Sequence, residues 1–252
     1  MKLKPKPQKK RHITLRNLLY HSLKVLKPVS DPIVMKRYYS GSKPLKVIVV
    51  GHPRSGTSFV TGLVHRMGYS LGPDIWLLGA DKYNRFGYFE ARPLMEINMR
   101  IMQGLGNISP GLVDRSPDWF QQFKQEQINI LQIVEMGGIE LYKGNRLMIL
   151  ADLYDDLFPN VKWIFVNRNI DETYRSRFIE QISLDEWKKQ AKIRNLLWQQ
   201  SRPASRAMQV RYEDFFSDLV GTINQIRSYL EISLTAQQFQ NCQDFFRPRS
   251  KT

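Results

Sequence analysis

Cysteine is almost missing: Cys242 is the only one in 252 residues. That excludes a disulfide framework, a Cys-ligated zinc site and a paired redox motif. Acidic residues are scarce at the start, where Asp31 stands alone against 13 Lys and Arg in residues 1–46. No apolar stretch approaches the ~18 residues that a bilayer-spanning helix needs, and no secretory signal pattern opens the chain. A reducing cytoplasm is the expected compartment.

What is present reads as a globular enzyme-like chain, with 42% hydrophobic and 24% charged residues. The formal charge of +15 is unevenly placed, since residues 1–46 carry +12 and the rest only +3. The basicity therefore belongs to an arm, residues 1–45, and says little about what the body at 46–252 binds. "MKLKPKPQKKRH" cannot bury a core. "LRNLLYHSLKVLK" spaces Leu15, Leu18, Leu19, Leu23 and Leu26 at helical intervals. Such a helix is a candidate for peripheral membrane contact, and its plainer reading is a helix packed on the domain with solvated lysines.

Apolar strand patterns at 46–50, 139–143, 161–166 and 207–212 alternate with helical ones. The helices are expected at about 56–67, 91–104, 118–137, 146–158, from 170, 184–201 and 215–230. This order predicts an α/β fold, a mostly parallel central sheet flanked by helices on both faces. Residues 69–90, rich in Gly, Pro, Asp and aromatics, read as a long functional loop.

The first strand runs into "GHPRSGTS". Gly51 and Gly56 stand at the spacing of the phosphate loop G-x-x-x-x-G-K-[S/T], but Thr57 replaces the lysine. Small residues let the backbone wrap an anion, and the first amides of the following helix point at it. Arg54 supplies positive charge from within the loop, with Ser55, Gly56, Thr57 and Ser58 as the other lining residues. The plainer reading is a strand–turn–helix in which Thr57 or Ser58 caps the helix. His52 reads as a packing residue. A second element, "FVNRNIDETYRSRF", places Arg168 at the carboxyl end of a strand, where open α/β sheets hold ligands. Asn169 and Glu172 look like a capping pair, and Ser176 lies about two turns into the helix. A guanidinium fork plus a hydroxyl suits a terminal phosphate.

"GHPRSGTS" resembles the 5′-phosphosulfate loop of sulfotransferases that use 3′-phosphoadenylyl sulfate (PAPS). "FVNRNIDETYRSRF" resembles that family's 3′-phosphate element, with Arg168 and Ser176 in place. "YKGNRLMILADLYDDLFPN" is similar to a lysine-bearing strand and helix of bacterial members, with Gly144 and Asn145 in place of Asp-Pro. "VRYEDFF" resembles the strand whose tyrosine, here Tyr212, lies near the adenine. The resemblance spans about residues 46–232. It implies a three-layer P-loop NTPase-like fold and sulfuryl transfer from PAPS to a small-molecule or carbohydrate hydroxyl or amine. No metal is expected, because a sulfuryl group carries less charge than a terminal phosphoryl. The family closes its nucleotide site with a late basic loop, for which Arg247 and Arg249 are weak candidates.

"NRFGYFEARP" resembles the "NPKGYFE" stretch of bacterial members and offers Glu90 as a general base. Its plainer role is electrostatic, an acid just ahead of a helix that begins near Pro93. Lys143 is a candidate for assisting the sulfuryl oxygens, although a solvated lysine at a strand end is the commoner situation. Trp76, Tyr83, Phe86, Tyr88 and Phe89 are candidates for an acceptor pocket or for core beneath the loop. The sequence leaves oligomeric state open. It also leaves two rivals: a magnesium-dependent P-loop kinase with Asp152 on the metal, and a nucleic-acid-binding protein. The body's small charge argues against the latter, so no nucleic acid is expected.

Overall fold

The computed structural model describes residues 45–81, 84, 87–104, 123–176 and 182–246. The basic arm, Tyr83, Phe86, Arg247 and Arg249 lie outside the described residues.

Four strands, β1 (Val47–Gly51), β2 (Leu141–Lys143), β3 (Lys162–Asn167) and β4 (Met208–Arg211), form one parallel sheet in the order β2-β1-β3-β4. β1 is buried throughout. Its unbroken Val/Ile run fits a strand covered on both faces. Alternation then divides the core. Ile48 and Val50 face α2 (Arg92–Gly104), α3 (Lys124–Met136) and α4 (Ala151–Leu157), together with Trp163, Phe165 and Trp198. Val47 and Val49 face α1 (Thr57–Arg66), α8 (Leu219–Leu230) and α9 (Ala236–Phe245), together with Ile164, Val166 and Val210. The chain is an α/β layered fold, helices on either side of a parallel sheet. Among the described residues no helix is long and apolar enough to cross a membrane.

Two helical patterns are interrupted. The expected helix at 146–158 splits into a 3-10 turn, Asn145–Met148, and α4. Gly144 leaves β2 fully extended, and the tight bonds Leu147 N to Gly144 O and Ile149 N to Arg146 O follow at once. The expected helix at 215–230 breaks at Asp218 into α7 (Asp214–Ser217) and α8. Asp218 takes a non-helical conformation, and its carboxylate accepts from Gly221 N at 2.8 Å. Capping a new helix outweighs continuing the old one.

The strand order positions the site. β2 lies on one side of β1, and β3 and β4 on the other, so the order reverses between β1 and β3. Loops leaving the carboxyl ends of those two strands flank the crevice in which such sheets hold ligands.

Candidate active site

The loop from Gly51 to Gly56 occupies that switch point. Gly51 lies flat against β3; a Cβ there would come within 2.5 Å of Val166 O and 2.6 Å of Ser55 Oγ. Arg54 adopts φ 69° and Gly56 φ 97°, both left-handed, so the backbone turns back on itself before α1 begins. Gly56 is the N-cap, and no side chain caps the helix. The plainer alternative, in which Thr57 or Ser58 caps the helix, does not hold. Both already belong to α1, and Thr61 Oγ1 donates to the Thr57 carbonyl at 2.7 Å. Ser55 is 1% exposed, and its Oγ has no hydrogen-bond partner. A buried orphan hydroxyl is costly unless something else meets it.

The second element grips the first. The Asn169 Oδ1 caps α5 (Ile170–Arg175), accepting from Asp171 N at 2.9 Å and Glu172 N at 3.4 Å. The return half of the expected Asn169–Glu172 pair is absent. Glu213 accepts from Asn169 N instead, at 2.8 Å, while Glu172 pairs with Arg175 at 2.6 Å. Ser176 is the C-cap of this short helix, not a residue two turns into a longer one. Its Oγ donates to Thr173 O, and its carbonyl accepts from Arg54 Nε at 2.8 Å. Arg168 Nη1 in turn donates to the Arg54 carbonyl at 3.2 Å, and its guanidinium stacks 4.6 Å over the Tyr212 ring. Burial, and to a lesser extent the Arg168 charge, push the Arg54 guanidinium down from its ordinary value. Tyr212 continues the β3–β4 ladder through its N–H to Asn167 O and packs on Gly56. Arg54, Ser55, Gly56, Arg168, Ser176 and Tyr212 thus form one contiguous cluster.

On the other flank, Lys143 corrects the expectation of a solvated strand end. It is 3% exposed. Its ammonium donates to Glu90 Oε1 at 2.6 Å, Ser58 Oγ at 3.1 Å and the Tyr88 carbonyl at 3.1 Å, which uses all three protons. Glu90 therefore answers to Lys143; α2 begins two residues later, at Arg92, without an acid in its first turn. Glu90 Oε2 accepts no hydrogen bond among the described residues. The Tyr88 hydroxyl donates to Asp81 at 2.9 Å, tying the loop down from its outer side. Trp76 packs on the core beside α3, and Phe89 packs with the α1 side of the core.

Asp152, the metal ligand of the kinase reading, starts α4 and accepts from Arg202 N at 2.8 Å. It belongs to a surface ion-pair group with Asp156 and Arg202.

His52 packs edge-on against Trp187 of α6 (Leu184–Gln199), with ring centroids 4.8 Å apart. Burial, followed by the Arg194 charge, pushes its imidazole down to about 4. The unfolded chain protonates histidine near its ordinary value of about 6.5. This contribution to stability is therefore complete above about pH 6.5 and lost as the pH falls towards 4, amounting to about 3 kcal/mol. His52→Phe, which keeps a ring on Trp187, is expected to flatten the fall of melting temperature over that window. An unchanged slope would assign the acid sensitivity to carboxylates instead.

Sequence reasoning passed over Trp187 and considered Tyr88 only for its ring. Tyr88 stood inside a quoted motif, but its contribution to Lys143 is a carbonyl, which no residue type signals.

Residues 150–236 match a family model described as "Sulfotransferase family". No curated protein matches the chain in sequence. Among solved structures, sulfotransferase STF1 from Mycobacterium tuberculosis H37Rv superposes with a TM-score of 0.53 at 11% identity, over 91% of this chain and 76% of that one. Sulfotransferase STF9 from Mycobacterium avium gives a TM-score of 0.48 at 12% identity, over 84% and 70%. Over residues 150–236 the chain is thus similar to the sulfotransferase family, and its layered α/β fold is one it shares with STF1.

Proposed function

We propose that the protein transfers a sulfuryl group from PAPS to an acceptor hydroxyl or amine, releasing 3′,5′-ADP. One observation carries the reading. Two phosphate-binding elements more than a hundred residues apart are bolted together by Arg54 Nε to Ser176 O and by Arg168 Nη1 to Arg54 O. The residues fit such a donor. Ser55 Oγ is buried without a partner, α1 starts without a side-chain cap, and the cradle at Gly56 has no room for a Cβ.

When bound, the donor supplies the sulfuryl group and a phosphate that leaves with the electron pair of the broken S–O bond. The protein's part is positioning and charge. The amides of Gly56, Thr57 and Ser58, with the Arg54 guanidinium, neutralise charge growing on the phosphate oxygens. Arg168 and Ser176 hold the 3′-phosphate, and Tyr212 flanks the base. Glu90, fixed through Oε1 by Lys143, keeps Oε2 to take the acceptor's proton. Lys143 orients both Ser58 and Glu90, which couples the donor loop to the base.

Melting curves test the reading. The chain is expected to gain several degrees with saturating 3′,5′-ADP and none with ATP and magnesium. Arg168→Ala is expected to lower 3′,5′-ADP affinity by about 30- to 150-fold, as loss of a charged hydrogen bond of roughly 2–3 kcal/mol requires, while leaving 5′-AMP affinity nearly unchanged. Equal stabilisation by ATP and magnesium, or equal loss for both monophosphate and bisphosphate, would reject it.

A further inference from the structure

A second cationic cluster lies on the opposite side of the sheet edge from Tyr212 and α1. A cleft of about 380 Å³ opens over the carboxyl end of β3 on its Phe165 face, walled by α6. His52, Arg168, Lys188 and Lys192 line it, and among the described residues no carboxylate does. Lys188 is steadied by Asp171 at 3.0 Å. Asn195 also lines it, and its Oδ1 is buried without a hydrogen-bond partner.

Behind His52, α6 packs on the 3-10 turn Asn145–Met148, which follows Lys143 directly. Arg194 lies on α6 and Arg146 in that turn, near enough for the charge of one to act on the other. Both are partly buried, and among the described residues neither guanidinium makes a hydrogen bond or an ion pair. Burial, then the Arg146 charge, lower the Arg194 guanidinium from its ordinary value. Two guanidinium groups brought together out of water without a counter-charge cost stability.

We infer that the His52-lined cleft, backed by the charges of Arg194 and Arg146 behind His52, binds an anionic group on a hydroxyl-bearing acceptor, beside Lys143 and the donor loop. The inference rests on the sulfuryl-transfer reading for the word acceptor, but the anion site stands on its own residues. Planar guanidinium forks suit a phosphate, sulfate or carboxylate substituent. The unmet Asn195 Oδ1 suits a hydroxyl that donates to it. Donor and acceptor would then approach from opposite faces of the sheet and meet at its edge.

The test uses the full chain saturated with 3′,5′-ADP, so that the donor's phosphate sites are filled, and titrates inorganic phosphate at low millimolar concentration. The wild type is expected to show a further, saturable rise in melting temperature that equimolar chloride does not give. Arg194→Gln and Arg146→Gln are expected to abolish that second rise while keeping the 3′,5′-ADP stabilisation. No second rise in the wild type, or an undiminished one in both variants, overturns the site. Arg194→Met supplies a separate readout in phosphate-free buffer. Relief of the repulsion with Arg146 is expected to raise its melting temperature above wild type, whereas a fall would mark Arg194 as a structural residue and end the proposal. If 3′,5′-ADP itself fails to stabilise while the phosphate rise persists and needs both arginines, the donor assignment fails and the anion site survives.

Discussion

Lys143→Met is expected to destabilise the protein by about 3–5 kcal/mol, the usual consequence of removing one partner from a buried ion pair. Methionine fills the aliphatic volume, so the effect isolates the charge. Glu90 would be left as a carboxylate only 8% exposed with no counter-ion, the Ser58 hydroxyl would lose its donor, and the Tyr88 carbonyl would keep only the long bond from Ser58 Oγ at 3.5 Å. The tie of the loop at 88–90 to α1 would then be weakened to that bond and the packing of Phe89 at Gly62. Lys143→Met combined with Glu90→Gln removes both charges and is expected to recover most of the stability, because the pair's large single-mutant cost is the stranded charge rather than the net worth of the bond. Denaturant unfolding of the two singles and the double gives the coupling. Additive losses would show that Lys143 and Glu90 do not act on each other. A double variant that folds like wild type but turns over poorly would separate the pair's structural role from its chemical one.

Much of this site was legible because its signals are local. A valine run, two glycines at fixed spacing and an arginine at the end of a second apolar strand each sit within a few residues, and the strand order follows from the alternation of patterns. The misreadings share one cause, a partner far away in sequence. Lys143 looks like a solvated strand end until Glu90, 53 residues earlier, is folded onto it. The cap at Asn169 is completed by Glu213, 44 residues later, where the local pattern offered Glu172. The break at Asp218 is different: an aspartate ahead of an apolar run is a readable cap, and the continuous apolar periodicity on either side masked it. The Arg146–Arg194 cluster has no sequence signature, since what defines it is the lack of a carboxylate partner among the described residues, and a lack is visible only in three dimensions.

Gly56→Ala is expected to cost about 2–5 kcal/mol, from two sources that a double variant separates. At φ 97° an L-residue pays about 1–2 kcal/mol for the left-handed backbone. The new Cβ would also intrude on the Tyr212 ring, 2.6 Å from Cε2 and 2.9 Å from Cγ, and forced overpacking of this kind costs a further 1–3 kcal/mol, roughly. Tyr212 has little freedom to retreat, because its ring is set edge-on against Phe59 and Phe216 and lies under the Arg168 guanidinium. Moving it would pull Arg168 from the Arg54 carbonyl and so loosen both phosphate elements together. A fall in melting temperature of roughly 5–20 °C is expected, with 3′,5′-ADP no longer stabilising the chain. Adding Tyr212→Ala makes room for the methyl group. The double variant should be less destabilised than the sum of the singles, and the residue of the loss measures the backbone term alone. Gly56→Ala melting within a degree of wild type would mean that the loop does not hold Gly56 left-handed against Tyr212, and the coupling of the two elements through that contact would have to be abandoned.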